Sequence, residues 1–289
     1  MSAKAGTRVV FALLALTASG AWAEKNMFIV AHQDDDLYFM NPDILNAIKT
    51  GNSVEVVFLT AGELENTGTY WAEREKGAMN AYTRMAQIAG FSTPNPATTP
   101  ADIECRADGG FLSAWSVSQA SFTTTSNTVH SWLDFKLQLS GTSAIDLVFL
   151  RTKDLIPSPA AMVNLQNLWL TPDASVSTVT ADQTTCNSTC PAPGNSPWYG
   201  ATCALGATLT QQSYSKEDLI QVVTNIIERF SPATVGILDN TDIYASAYGW
   251  NENTNYVPNY NLDNASHVFS ARFSFAALLR TPLMPRVQI

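Results

Sequence analysis

An α/β fold, with a mostly parallel sheet and helices on both of its faces, is what this chain predicts from three observations. Near-continuous apolar runs at 27–30, 54–60, 145–150 and 233–238 read as strands buried on both sides, the pattern of a parallel sheet. Helical segments at 42–49, 71–89 and 216–230 are interleaved with them. A strand, a helix and a second strand in that order make a right-handed crossover unit, so the arrangement is Rossmann-like. The 289 residues, 46% hydrophobic and 14% charged, suffice for one sizeable core.

From the N-terminus, Lys4 and Arg8 precede an apolar run over 9–16, and Ala21-Trp22-Ala23 closes it with small outer residues. This is the pattern of a secretory signal peptide over 1–23, which leaves one domain over 24–289 and a secreted or periplasmic location. The run is too short to cross a bilayer, and no later segment has ~20 unbroken apolar residues, so no membrane span is expected. Loss of Lys4 and Arg8 takes the formal charge from -9 to -11. An acidic chain without a basic stripe argues against nucleic acid as a partner and suits an uncharged or cationic ligand such as an amino sugar.

The strand at 27–30 runs into Ala31-His32 and then into three consecutive carboxylates, Asp34, Asp35 and Asp36. The helix at 42–49 ends at Gly51, and the strand at 54–60 leaves through Ala61-Gly62-Glu63. Gly90 stops the helix at 71–89. Residues 94–127 are polar and carry no clear period, while His130 and Ser131-Trp132 read as part of an amphipathic helix, with His130 a structural histidine. Arg151 and Asp154 follow the strand at 145–150 and are candidates for holding substrate at its end.

Residues 157–212 are rich in Ser, Thr, Pro and Asn and hold Cys186, Cys190 and Cys203, with Cys105 upstream. Four cysteines in an exported chain read as two disulfides with three possible pairings, so this stretch is expected to be a disulfide-stapled insertion on the same domain. A zinc reading of Cys186 and Cys190 is disfavoured because no second Cys or His pair stands nearby. Ser215 and Asp218 form a capping-box start to the helix at 216–230. After the strand at 233–238 comes a loop with Tyr244, Tyr248, Trp250, Tyr256 and Tyr260, faces suited to stacking on sugar rings or to core packing. Asp263 is the expected N-cap of a last helix running to 279.

The acidic loop has two readings. Asp36 before Leu37 could simply cap a helix. Alternatively, His32 and Asp35 place an imidazole and a carboxylate on one side of a turn at the ligand-binding edge of the sheet, half of a zinc site. Three adjacent carboxylates there need a cation or strong donors to hold them. Such a site needs a third ligand, and the chain has only three histidines, His32, His130 and His267.

Ala31-His32-Gln33-Asp34-Asp35-Asp36 resembles the Ala-His-Pro-Asp-Asp-Glu signature of the PIG-L/LmbE-like N-acetylglucosaminyl deacetylases. Residues 57–63, ending in Gly62-Glu63, with Arg74-Glu75 and Ala78, resemble that family's second block, and Asp263-Asn264-Ala265-Ser266-His267 its Asp-His-x-x-His block. The resemblance implies that His32, Asp35 and His267 hold Zn2+ or another divalent ion. It further implies that Asp34 is the general base and that Arg74, with Asp154, contacts the substrate. Asn264 takes the catalytic position where the family has histidine; its amide can donate a hydrogen bond but cannot deliver a proton. It also opens an Asn264-Ala265-Ser266 sequon. Gln33 for proline and Asp36 for glutamate are milder departures.

The function so implied is a secreted zinc-dependent hydrolase that removes the N-acetyl group from an N-acetylglucosamine-type sugar or glycoconjugate. The alternative is a metal-containing carbohydrate-binding relative that has lost hydrolysis, with Asn264 as its support. No Gly-x-Ser-x-Gly turn and no His-Glu-x-x-His motif occurs, which argues against a serine hydrolase and a zincin protease.

Overall fold

The computed structural model describes residues 23–63, 70–93, 110–154, 164–181, 202, 210–241, 264–282 and 286–288. The expected leader (but for Ala23), all four cysteines and the aromatic loop lie outside the described residues.

Seven strands form one sheet. In chain order they are β1 (Lys25–Val30), β2 (Ser53–Thr60), β3 (Trp115–Thr123), β4 (Val129–Ser140), β5 (Ser143–Thr152), β8 (Thr234–Ile237) and β9 (Arg286–Gln288). β6 (Ser175–Ser177) and β7 (Ser213–Ser215) pair with each other outside it. The sheet order is β3-β4-β5-β2-β1-β8-β9, parallel from β5 through β9 and antiparallel where β3 and β4 join β5. The mixed α/β fold with a mostly parallel sheet is therefore as expected.

The helices are α1 (Asp35–Phe39), α2 (Asp43–Lys49), α3 (Tyr70–Ile88), α4 (Asn164–Leu170), α5 (Lys216–Phe230) and α6 (Ala265–Leu278). Successive residues of β1 feed opposite faces of the sheet, as the period of two requires. Phe28 and Val30 pack with α2 and α3 residues such as Ile44, Ile48, Met79 and Tyr82. Met27 and Ile29 pack with Leu165, Leu219, Val223 and Phe269 of α4, α5 and α6. Two apolar layers thus clamp the sheet, and every residue of β2 and β5 is buried. Gly236 lets β8 lie against β1: a Cβ there would come within 2.7 Å of the Phe28 ring.

One expectation is corrected here. His130 lies on β4, not on a helix, because Leu133, Phe135 and Leu137 alternate into one apolar layer with Asp134 and Lys136 between them, a period of two. The expected insertion over 157–212 also contributes to the core. Leu165, Leu168 and Val176 of α4 and β6 are part of the second core.

Chain order reverses at β1. From there the chain builds outward through β2 to β5, then returns to add β8 on the other side. Such a switch point opens a crevice at the carboxyl ends of the strands, and the loop after β1 leaves into it.

Candidate metal centre

The turn from Ala31 to Asp34 carries the chain from buried β1 into α1. Asp34 sits at the N-cap, and its carbonyl oxygen accepts from Leu37 N at 3.0 Å and Tyr38 N at 3.1 Å. Its side chain makes no cap bond and pairs instead with Arg74 of α3. Asp36 is thus not the cap. It is buried inside α1, where the Tyr82 hydroxyl donates to its Oδ2. Burial raises the Asp36 pKa to about 7, against the opposing Tyr82 hydrogen bond.

Asp35 faces the other way. Its Oδ2 accepts from the backbone N–H of His32 at 2.8 Å, which fixes the carboxylate beside the imidazole. His32 Nδ1 lies 3.3 Å from Asp35 Oδ2, and His267 Nε2 lies 3.0 Å from Asp35 Oδ1. His267 arrives on the first turn of α6, the helix that follows β8 and packs over β1. One ligand atom from each of His32, Asp35 and His267 falls within 4.8 Å of the others. Among the described residues this is the one such group of donors. His130 is not one of its members: it is fully buried and stacks on Tyr214 with ring centroids 4.1 Å apart.

Burial by itself would lower the His32 pKa. Hydrogen bonds to Asp154 and then Asp35, with the charge of both, outweigh it and raise the value to about 10. Burial likewise pushes Asp35 upward, but contacts with His267 and His32 hold its carboxyl well below the usual range. The pocket therefore demands positive charge. Two imidazole nitrogens and one carboxylate, converging and mostly covered, are a donor set that could hold a divalent ion.

Asp154, at the end of β5, was expected to hold substrate. Its Oδ1 lies 3.2 Å from His32 Nε2, the nitrogen turned away from Asp35, and accepts from Ser266 Oγ at 2.6 Å. Its own backbone N–H donates to the Glu63 carboxylate at 2.8 and 3.0 Å. A carboxylate on the rear nitrogen of a ligating histidine sets the ring's tautomer and orientation. Glu63 and Ser266 had no role assigned from sequence. Glu63 stood beside the recognised Gly62, and Ser266 one residue before His267, but only the fold shows what they touch.

Arg74 crosses the turn that follows β1. Its Nε donates to Gln33 Oε1 at 3.1 Å and its Nη2 to Asp34 Oδ1, while Gln33 Nε2 donates to the Thr60 carbonyl at 3.2 Å. Arg151, the other arginine considered for substrate, is engaged elsewhere. It makes a buried two-pronged pair with Glu75, with both bonds at 2.7 Å, and lies over Trp71. Asn264, not Asp263, is the N-cap of α6. It is exposed, and its Oδ1 accepts from Ser266 N at 2.8 Å.

The family model described as PIG-L, GlcNAc-PI de-N-acetylase, matches residues 27–91. That span takes in β1, His32, Asp35, β2 and Arg74, and over it the resemblance read from the sequence is borne out. Asp154 and His267 lie beyond it. No curated protein and no solved structure matches the chain.

Proposed function

We propose that this protein is an exported, zinc-dependent N-deacetylase acting on an N-acetylglucosamine-type amino sugar or glycoconjugate. The observation that carries the reading is the convergence of His32, Asp35 and His267 at the sheet's switch point, in a chain whose residues 27–91 match a de-N-acetylase family model. An ion held by these three supplies Lewis acidity, polarising an amide carbonyl and lowering the pKa of water towards ~7.

The chain's own residues do the rest. The Asp34 side chain is half-exposed at the mouth of the site, next to a ligand but not itself one, and takes the proton from the attacking water. Water's oxygen becomes bonded to the acetyl carbon, the carbon–nitrogen bond breaks, and the proton passes from Asp34 to the departing amine. Acetate and a free amino sugar result. The Asn264 amide, at the start of α6, is the group assigned to donate a hydrogen bond to the developing oxyanion, without a proton to give. Phe39, more than half exposed and 5.4 Å from the His267 ring, offers the sugar an apolar face.

The test is acetate release by the mature, zinc-loaded protein from a panel of N-acetylated sugars, beside a His32→Ala variant. Release that depends on His32 and on one zinc per chain supports the reading. Tight binding of the same sugars without release favours the non-catalytic alternative, and neither binding nor release ends both.

A further inference from the structure

Arg74 is held at three points. Its Nε is bonded to Gln33, its Nη2 to Asp34, and its Nη1 lies 3.4 Å from the Tyr70 hydroxyl. Gln33 is itself fixed, since its amide N–H donates to the carbonyl of Thr60, the last residue of β2. Thr60 in turn is tied to β1, both its N–H and its hydroxyl donating to the Ala31 carbonyl at 3.0 Å. The result is a chain of contacts that grows more exposed outward. Gln33 is 4% exposed, the Arg74 side chain 16%, and the Asp34 side chain 50%.

Space for this chain is made by Gly62. It has φ +59°, and a Cβ there would lie 3.1 Å from Arg74 Cζ, Arg74 Nε and Gln33 Oε1. No other residue fits that position without shifting one of them. Gln33 is also chemically specific. It must accept from a guanidinium and donate to a carbonyl at once, which a primary amide does and proline at this place in the signature cannot.

We infer that Gln33 is a positioning residue: through Arg74 it anchors the Asp34 carboxylate to the end of the sheet. An unaided aspartate on a short surface turn samples several rotamers, whereas proton transfer needs one. The clamp supplies that one from a buried, hydrogen-bonded base. Arg74 then serves Asp34 first, and any substrate contact falls to the guanidinium N–H groups left over. This rests on the proposed hydrolysis only for Asp34's role as base; the clamp itself is a statement about structure.

Two readouts test it in the mature, zinc-loaded protein. In 15N-labelled protein the Arg74 Nε–H gives a sharp, slowly exchanging signal, assigned by its loss in Arg74→Lys. Gln33→Leu should broaden or abolish it, and Gln33→Glu, which keeps the acceptor, should retain it. In steady-state acetate release Gln33→Leu should lower kcat ~10-fold with KM within ~2-fold, and Gln33→Glu should recover most of the loss. If the leucine variant does not fold, Arg74→Lys, which keeps the charge but not the Nε–H, should show the same ~10-fold fall in kcat with KM within ~2-fold. A rise in KM at constant kcat, or an Nε–H signal indifferent to residue 33, overturns the clamp. If no N-acetylated sugar is hydrolysed by the parent protein, the hydrolase reading falls, and the Nε–H comparison still decides the clamp.

Discussion

Asp154 Oδ1 lies 3.2 Å from Nε2 of His32, while Asp35 Oδ2 lies 3.3 Å from Nδ1 of the same ring. One buried imidazole is thus held between two carboxylates, one from each side of β2. If Nδ1 faces the ion, Asp154 is what keeps the proton on Nε2 and the ring in register. Asp154→Asn should then weaken zinc binding ~10–100-fold, the usual cost of losing an outer partner of a ligating histidine. Ser266→Ala, which removes one bond to the same oxygen, should cost less. Competition with a chromophoric chelator measures both. Unchanged affinity with a higher KM would return Asp154 to the substrate.

The same two carboxylates set a pH dependence. They raise the His32 pKa to about 10, so in metal-free protein the ring carries an extra proton at neutral pH. That proton must leave before the ring can ligate, so binding is favoured as pH rises. From pH 6 to 8 the apparent zinc affinity should climb ~10-fold per pH unit from His32 alone. A flat profile by calorimetry would mean that His32 does not exchange a proton for the ion.

At the opposite edge of the sheet a third buried carboxyl behaves differently. Glu55 lines a cavity of about 440 Å³ with Asp134, Asp146, Lys136 and Arg229, and its Oε1 has no hydrogen-bond partner among the described residues. Burial, then the charges of Asp146 and Asp134, push its pKa well above the ordinary 4.5. The folded state therefore binds more protons than the unfolded one once pH exceeds ~4.5, and stability falls as pH rises through that window. Glu55→Gln removes the titration. It should stabilise the protein at pH 7 and have little effect near pH 4. Urea unfolding at the two pH values checks this; equal effects at both would show that the gain is not electrostatic.

Much of this was legible from local pattern, and the gaps have physical causes. β1, β2 and β5 announce themselves because both faces are buried, and α5 because Ser215 and Asp218 form the capping box that its sequence spells. The candidate ligands His32 and Asp35 are three residues apart, so a single turn suffices to relate them. His267 could be joined to them only through resemblance, since it lies 232 positions beyond Asp35 and no local rule spans that distance. The hairpin of β3 and β4 was missed because β3 is an edge strand of small polar residues, Ser116, Ser118, Gln119 and Ser121, with little alternation to read. Asp154 was placed at the correct edge, but its partner was not foreseeable. Whether a carboxylate there meets a ligand or the back of an imidazole depends on side-chain directions that only packing fixes.

Asn264 brings the two levels together. In the chain it replaces a histidine of the resembled family; in the fold it caps α6, accepting from Ser266 N at 2.8 Å. Asparagine is among the best N-cap residues, and histidine is not among those preferred there. Restoring histidine should therefore act in opposite directions on stability and on rate. Asn264→His should cost ~0.5–2 kcal/mol through the lost cap, read as a lower melting temperature of the zinc-loaded protein. Acetate release should rise ~10²–10³-fold, the range associated with one group that stabilises the developing oxyanion. Asn264→Asp separates the effects: it keeps the cap, adds no donor, and should leave stability near that of the parent while removing what activity the amide supports. If Asn264→His loses stability and gains no rate, position 264 serves α6 alone, and Asp34 and the three ligands must account for the chemistry unaided.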